Sequence, residues 1–252
     1  SRIYPFEPKL GTKKGIIQNI NFQYSVRGEN RIITTDSLFF KKEMFDSAKT
    51  GLQHNIPIST NFKLFKFFSF SASTNFQETW VFKTLNKSYD QENQQEITEE
   101  TSGFDSFRTY NFSTSLGTTV YGMYNFSEKS KIKALRHVLR PSLSFGISPP
   151  FDQYYDSYEI VSADGLTTSQ VEYSRFEGSI FGLPNKNYSS SISLSLNNNI
   201  EAKVVDKESD EDELKKIKIF NNLNFSTSYN LALDSLNLSP IRMTGGTQLL
   251  KN

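Results

Sequence analysis

No cysteine occurs in the 252 residues. That excludes a disulfide framework and a thiolate metal site within this sequence. Histidine is nearly absent as well, with His54 and His137 alone. Two isolated imidazoles offer no clustered ligand set for a metal, and no cofactor is expected. A Ser-His hydrolase needs a histidine beside a nucleophilic serine, with Asn or Asp orienting it. His54 precedes a predicted strand and His137 sits between Arg136 and Arg140 in one, so the chain is not expected to be an enzyme. Charge of one sign is lacking too: 28 Lys and Arg against 27 Asp and Glu leave +1. No global field attracts nucleic acid. No apolar run reaches the length of a transmembrane helix, but the strands of a membrane β-barrel need only alternate.

Serine, asparagine and aromatics are abundant instead. The chain holds 33 Ser, 21 Asn, 22 Phe and 12 Tyr, against an apolar fraction of 36%. These are mediocre helix formers, which argues against a helical protein. Disordered chains are poor in aromatics, which argues against disorder.

Period-two alternation dominates. Over 188–204, Ile192, Leu194, Leu196 and Ile200 fall on one face and Ser191, Ser193, Ser195 and Asn197 on the other. A strand separates these sets cleanly, whereas a helix scatters them. Likewise Ile20, Phe22 and Tyr24 face away from Asn19, Asn21 and Gln23. Phe70, Ala72 and Phe76 oppose Ser71, Ser73 and Asn75. Phe112 and Leu116 oppose Ser113 and Ser115, and Leu223 and Phe225 oppose Asn222 and Asn224. About nine strands are predicted, near 15–27, 52–64, 68–82, 106–126, 131–148, 171–183, 188–204, 215–233 and 238–251.

Predicted connections alternate in length. Tight ones fall around Lys66 and at 127–130, 184–187 and 234–237; long ones at 28–51, 83–105, 149–170 and 205–214. An up-and-down meander then puts all the long loops at one end, as in outer-membrane barrels. The segments also match the 9–11 residues a tilted strand needs to cross a bilayer. Phe65, Phe67 and Phe68 around one tight turn fit an interfacial aromatic girdle. The expected fold is all-β: an antiparallel up-and-down transmembrane β-barrel segment of about nine strands of a larger barrel, with long loops on one side. Residues 1–14 form a leading segment, and 15–252 the partial barrel. The chain opens at Ser1 without an initiator Met or signal peptide and closes at Asn252 in apparent mid-strand, so it is expected to be internal to something longer.

If the apolar face meets lipid, the Ser/Asn face lines the lumen. Neutral hydrogen-bonding residues suit a wet conduit for sugars, whereas a narrow ion pore favours charged rings. Candidate lumen-facing residues are Asn19, Asn21, Gln23, Ser71, Ser73, Asn75, Ser113, Ser115, Ser191, Ser193, Ser195, Asn197, Asn222 and Asn224. Arg136, His137 and Arg140, near a strand start, are candidate interfacial or head-group residues. The acidic stretches at 90–100 and 206–216 lie in predicted long loops. They read either as solvated loop surface or as carboxylates that share divalent cations with lipid phosphates.

The stretches SRIYPFEPK, NRIITTDSLFF, GLQHNIPISTNFKLFKFFSFSASTNFQETWVFKT, LRHVLRPSLSFGISPPFD and YSRFEGSIFGLPNKNYSSSISLSLNNNIEAKV follow in this order. Together they resemble the barrel of the lipopolysaccharide-assembly outer-membrane family (LptD, also called OstA), in a divergent branch. The run from Arg136 to Phe145 resembles the family's RH-x-L-x-P strand start. The resemblance implies a very large barrel behind a periplasmic jelly-roll, which is not recognisable in this sequence. It implies the outer membrane of a Gram-negative bacterium, with lipopolysaccharide and outer-membrane lipids as partners. It further implies periplasmic bridge proteins and an LptE-like lipoprotein plugging the lumen. Lipopolysaccharide would pass through passively. Rival readings are another transport barrel, a porin or receptor channel, and a surface-exposed adhesive β-protein.

Overall fold

The computed structural model describes residues 3–6, 16–127, 129–162, 165–205 and 214–247. Twelve strands form. They are β1 (Asn21–Phe22), β2 (Ser25–Arg31), β3 (Lys49–Leu64), β4 (Phe68–Asp90), β5 (Gln95–Gly117), β6 (Val120–Asn125), β7 (Ile132–Ser148), β8 (Tyr155–Val161), β9 (Thr168–Ser174), β10 (Ser189–Val205), β11 (Leu214–Asn230) and β12 (Arg242–Gly246). Ten of them make one antiparallel sheet in the order β1-β3-β4-β5-β7-β10-β11-β12, with β2 beside β1 on β3 and β6 beside β5 on β7. The sheet is open. Strands β8 and β9 pair only with each other.

Two strands are interrupted for the same reason. Asn21↔Ser59 and Ser25↔Asn55 keep one register, so β1 and β2 are a single strand broken opposite Pro57. Gly117↔Ser142 and Val120↔Leu139 likewise keep one register, and β5 and β6 break opposite Pro141. Each proline carbonyl still accepts, from Gln23 N–H at 3.1 Å and from Thr118 N–H at 3.2 Å. Neither proline has an N–H to return, so one ladder bond is missing at each place.

The structure keeps the predicted architecture and corrects its connections. Residues 83–105 are not a loop: β4 and β5 continue as a two-stranded ribbon to a tip at 91–94. Residues 171–183 are not a wall strand. Only their start extends β9, and the chain then turns at Glu177–Gly178, where Gly178 takes φ +77°. The predicted turn at 184–187 belongs to the same irregular segment, which runs from Pro149 to Tyr188. Residues 17–19 are a 3-10 turn, so Asn19 precedes the first strand. The last predicted strand is represented by a bridge at Leu238 and by β12. Its end, 248–252, lies outside the described residues, as does most of the leading segment.

Losing one wall strand changes the side on which later connections emerge. The turns 65–67 and 126–131 share one end of the sheet, the turn end. Segment 32–48, the ribbon tip and 149–188 share the other, the loop end. Val205 N–H donates to Lys131 O at 3.4 Å. The β10–β11 connection therefore departs from the turn end, opposite to the expectation for 205–214. Residues 206–213, most of the second acidic stretch, lie outside the described residues.

Candidate functional site

Strand pairing carries the polar residues of distant segments into common rows. One row runs Asn21, Ser59, Ser73, Ser113, Gly146, Ser191, Asn230. The next runs Asn61, Ser71, Ser115, Ser144, Ser193, Ser228, and the one below ends in Ser142, Ser195, Ser226 and Arg242. Asn197 and Asn224 continue it toward the turn end. Hydroxyls meet across strands at 2.7 Å for Ser71 and Ser115 and 2.8 Å for Ser73 and Ser113. Ser195 donates to Asn224 Oδ1 at 2.9 Å. Gln23, Asn75 and Asn222 share this face by register, while Asn19 reaches its margin, in a hollow with Asn61, Lys63 and Ser69.

The polar face is not neutral throughout. Toward the turn end it carries Arg136, Arg140, Glu201, Lys203, Lys216 and Lys218. Arg136 pairs with Glu201 at 3.5 Å and lies over the Tyr121 ring. His137 points the other way: its Nε2 meets Asn198 Oδ1 at 2.8 Å on the apolar face. The three expected head-group residues are thus split between the two faces.

The apolar face lacks protein cover, with Leu143 48%, Leu194 43% and Met243 66% exposed. On each of three neighbouring strands its five residues within a nine-residue span, 56–64, 68–76 and 110–118, are all uncharged. That matches the span of a tilted membrane strand. At the loop end this band stops at a row the alternation did not single out, His54, Glu78 and Arg108. Arg108 pairs with Glu78 at 3.1 Å, and Trp80 Nε1 donates to the same Oε1 at 3.0 Å. Tyr24 OH meets His54 Nδ1 at 2.7 Å, and the His54 ring lies 4.3 Å from that of Trp80. Charges and amphipathic aromatics together are what an interfacial boundary requires. Glu78 and Arg108 were visible in the sequence only as breaks in an apolar series, of which Trp80 reads as a member.

At the loop end the segment 149–188 folds back over the polar face. Phe176, 1% exposed, packs on Phe107 and Val81, which share the face of Ser71 and Asn75. Tyr154 completes this cluster, the main apolar core among the described residues. Burying such a ring contributes about 1.5–3 kcal/mol. Gly51 makes the approach possible, because a Cβ there would lie 2.9 Å from Ile180 Cγ2. Arg175 binds Asp105 at 2.8 Å, and its carbonyl accepts from Leu85 N–H at 3.0 Å. Lys87 bridges Glu177 at 2.9 Å and Glu96 at 3.1 Å. Hydrogen bonds to Glu177 and Glu96 push the Lys87 ammonium above its ordinary pKa. The Tyr158 hydroxyl, then Lys87, hold Glu96 below the usual carboxylate value. The first acidic stretch is therefore partly built into this contact rather than wholly a free loop.

A protein-family model described as LptD protein matches residues 1–252. No curated protein matches the chain. No solved structure matches it either.

Proposed function

From the premise that this chain belongs to the LptD protein family, we propose that it is part of the barrel wall through which lipopolysaccharide reaches the outer leaflet of a Gram-negative outer membrane. The family acts in lipopolysaccharide transport and assembly at the outer membrane, as a transport component and not as an enzyme. In this reading the apolar face meets lipid and the Ser/Asn rows face a water-filled lumen. Asn21, Gln23, Ser71, Ser73, Asn75, Ser113, Ser115, Ser191, Ser193, Ser195, Asn197, Asn222 and Asn224 line the path of the sugars, and Asn19 sits at its margin. The conduit is passive, and periplasmic bridge proteins supply the drive. An LptE-like lipoprotein occupies the lumen. Among the described residues the sheet keeps two open edges, and a bilayer does not tolerate unpaired edge groups, so further strands close the wall.

One observation carries this reading: a polar floor seven strands wide, backed by an uncharged band nine residues tall on neighbouring strands. Depletion of the full-length protein in its own cells tests it. Surface-accessible lipopolysaccharide, detected with an impermeant label, should fall while total lipopolysaccharide persists. Unchanged surface lipopolysaccharide with impaired uptake of small solutes would point to a channel instead.

A further inference from the structure

Between the infolded segment and the polar floor lies a hollow of about 230 Å³. Its polar lining comes from both sides. Gln53, Asn75, Gln77 and Asn111 rise from the floor, and Asn185 descends from the segment. Thr79, Thr109 and Ser148 add hydroxyls. No charged side chain lines it. Aromatic surface comes from the half-buried Phe181 on the cover, while Phe107 and Phe151 line the hollow as buried residues.

We infer that this hollow is a binding subsite for a single neutral sugar unit of the transported polysaccharide. The space corresponds to about eight waters at their liquid volume, which fits one ring and not a chain. Side-chain amides present donors and acceptors together, which suits hydroxyls that are both. The ring of Phe181 suits the C–H face of a sugar. The lack of charge disfavours phosphate-bearing or uronic units, whose desolvated anions would find no partner. The subsite sits where the segment covers the floor, so a passing polysaccharide is held one unit at a time at the loop end. This rests on reading the polar face as the wall of a sugar conduit.

Saturation-transfer NMR on the detergent-solubilised full-length protein tests the inference. The probes are glucose, galactose and mannose, with glucuronate and glucose 6-phosphate as charged counterparts. Neutral hexoses should receive saturation and the charged pair should not. Asn75→Leu should weaken binding about three- to tenfold, the loss of one neutral hydrogen bond. Phe181→Ala should weaken it from the cover side. Gel mobility without boiling verifies that each variant is folded. No transfer to any neutral hexose, equal transfer to the charged pair, or no change in either folded variant would overturn the subsite. These results leave the transport reading standing if depletion still removes surface lipopolysaccharide. If depletion does not, the transport reading fails whatever the sugars do.

Discussion

Ser195 lies beside Ser142 and Ser226 because the backbone ladder puts it there. Phe176 lies on Phe107 because its ring is buried there and Arg175 and Glu177 fasten the chain on either side. The wall is a repeating object, and any one of its side chains can change while the ladder persists. The infolded segment has no ladder to the wall beyond a few bonds such as Leu85 N–H to Arg175 O. Its position depends on a few named side chains. The wall's strict requirement is instead one of polarity, set by the solvent each face meets.

The largest effect should come from the segment. Phe176→Ala removes the ring at the centre of its core and should cost about 3–5 kcal/mol of local stability. Limited proteolysis should then cut within 149–188 while the wall keeps its unboiled gel mobility. Loss of that mobility in the variant would show that the two regions fold as one.

The wall should respond to charge on one face only. Ala72 sits mid-band on the apolar face, and Ser71 beside it on the polar face. Ala72→Arg should destabilise the barrel by about 2–4 kcal/mol in bilayers, the penalty for a midplane arginine. Ser71→Arg should cost far less. Urea unfolding in lipid vesicles measures both, and equal penalties would remove the distinction between the faces.

Acid and base should loosen the segment before the wall. Glu96 has its pKa lowered by Tyr158 and Lys87, so its contribution is present above the ordinary carboxylate value. It is lost as pH falls through the lowered value. Lys87 has its pKa raised by Glu177 and Glu96, so its contribution is complete below the ordinary lysine value and lost as pH rises through the raised one. Amide exchange near Phe176 should be slowest at intermediate pH and faster at both extremes. A pH-independent profile would mean that this cluster does not fasten the segment. Glu96 is exposed and Lys87 and Glu177 are only partly buried, so solvent screening should make this effect the smallest of the three.

Period two was enough to read the wall, because one-residue slips would exchange the faces of Phe70 and Ser71. Most partners also followed, since neighbours in sequence pair in the meander, but β7 and β10 pair directly where 171–183 was expected between them. The infolded segment was not readable in the same way. Val171, Tyr173 and Ser174 alternate well enough to suggest a wall strand, yet they pair with the β8 run, as Tyr155↔Ser174 and Tyr158↔Val171 show. Gly178, Gly182 and Pro184 gave the local signal that no long strand could continue. What they could not give was the burial of Phe176 against Phe107, a contact between residues 69 apart in sequence. That one misplaced strand also reversed the predicted side of the β10–β11 connection. The boundary row His54, Glu78, Arg108 needed cross-strand register before it became a row at all.

These 252 residues contain no cysteine, so labels introduced into them, with any cysteine elsewhere in the protein replaced, test the central claim directly. Single cysteines placed in the full-length, bilayer-embedded protein at Ser191, Ile192, Ser193, Leu194, Ser195 and Leu196 can each carry a spin label. Accessibility to a water-soluble and to a lipid-soluble relaxation agent is then measured at each position. The account predicts strict alternation, with labels at 191, 193 and 195 reached from water and those at 192, 194 and 196 from lipid. Water access at all six positions, or the opposite phase, would contradict it.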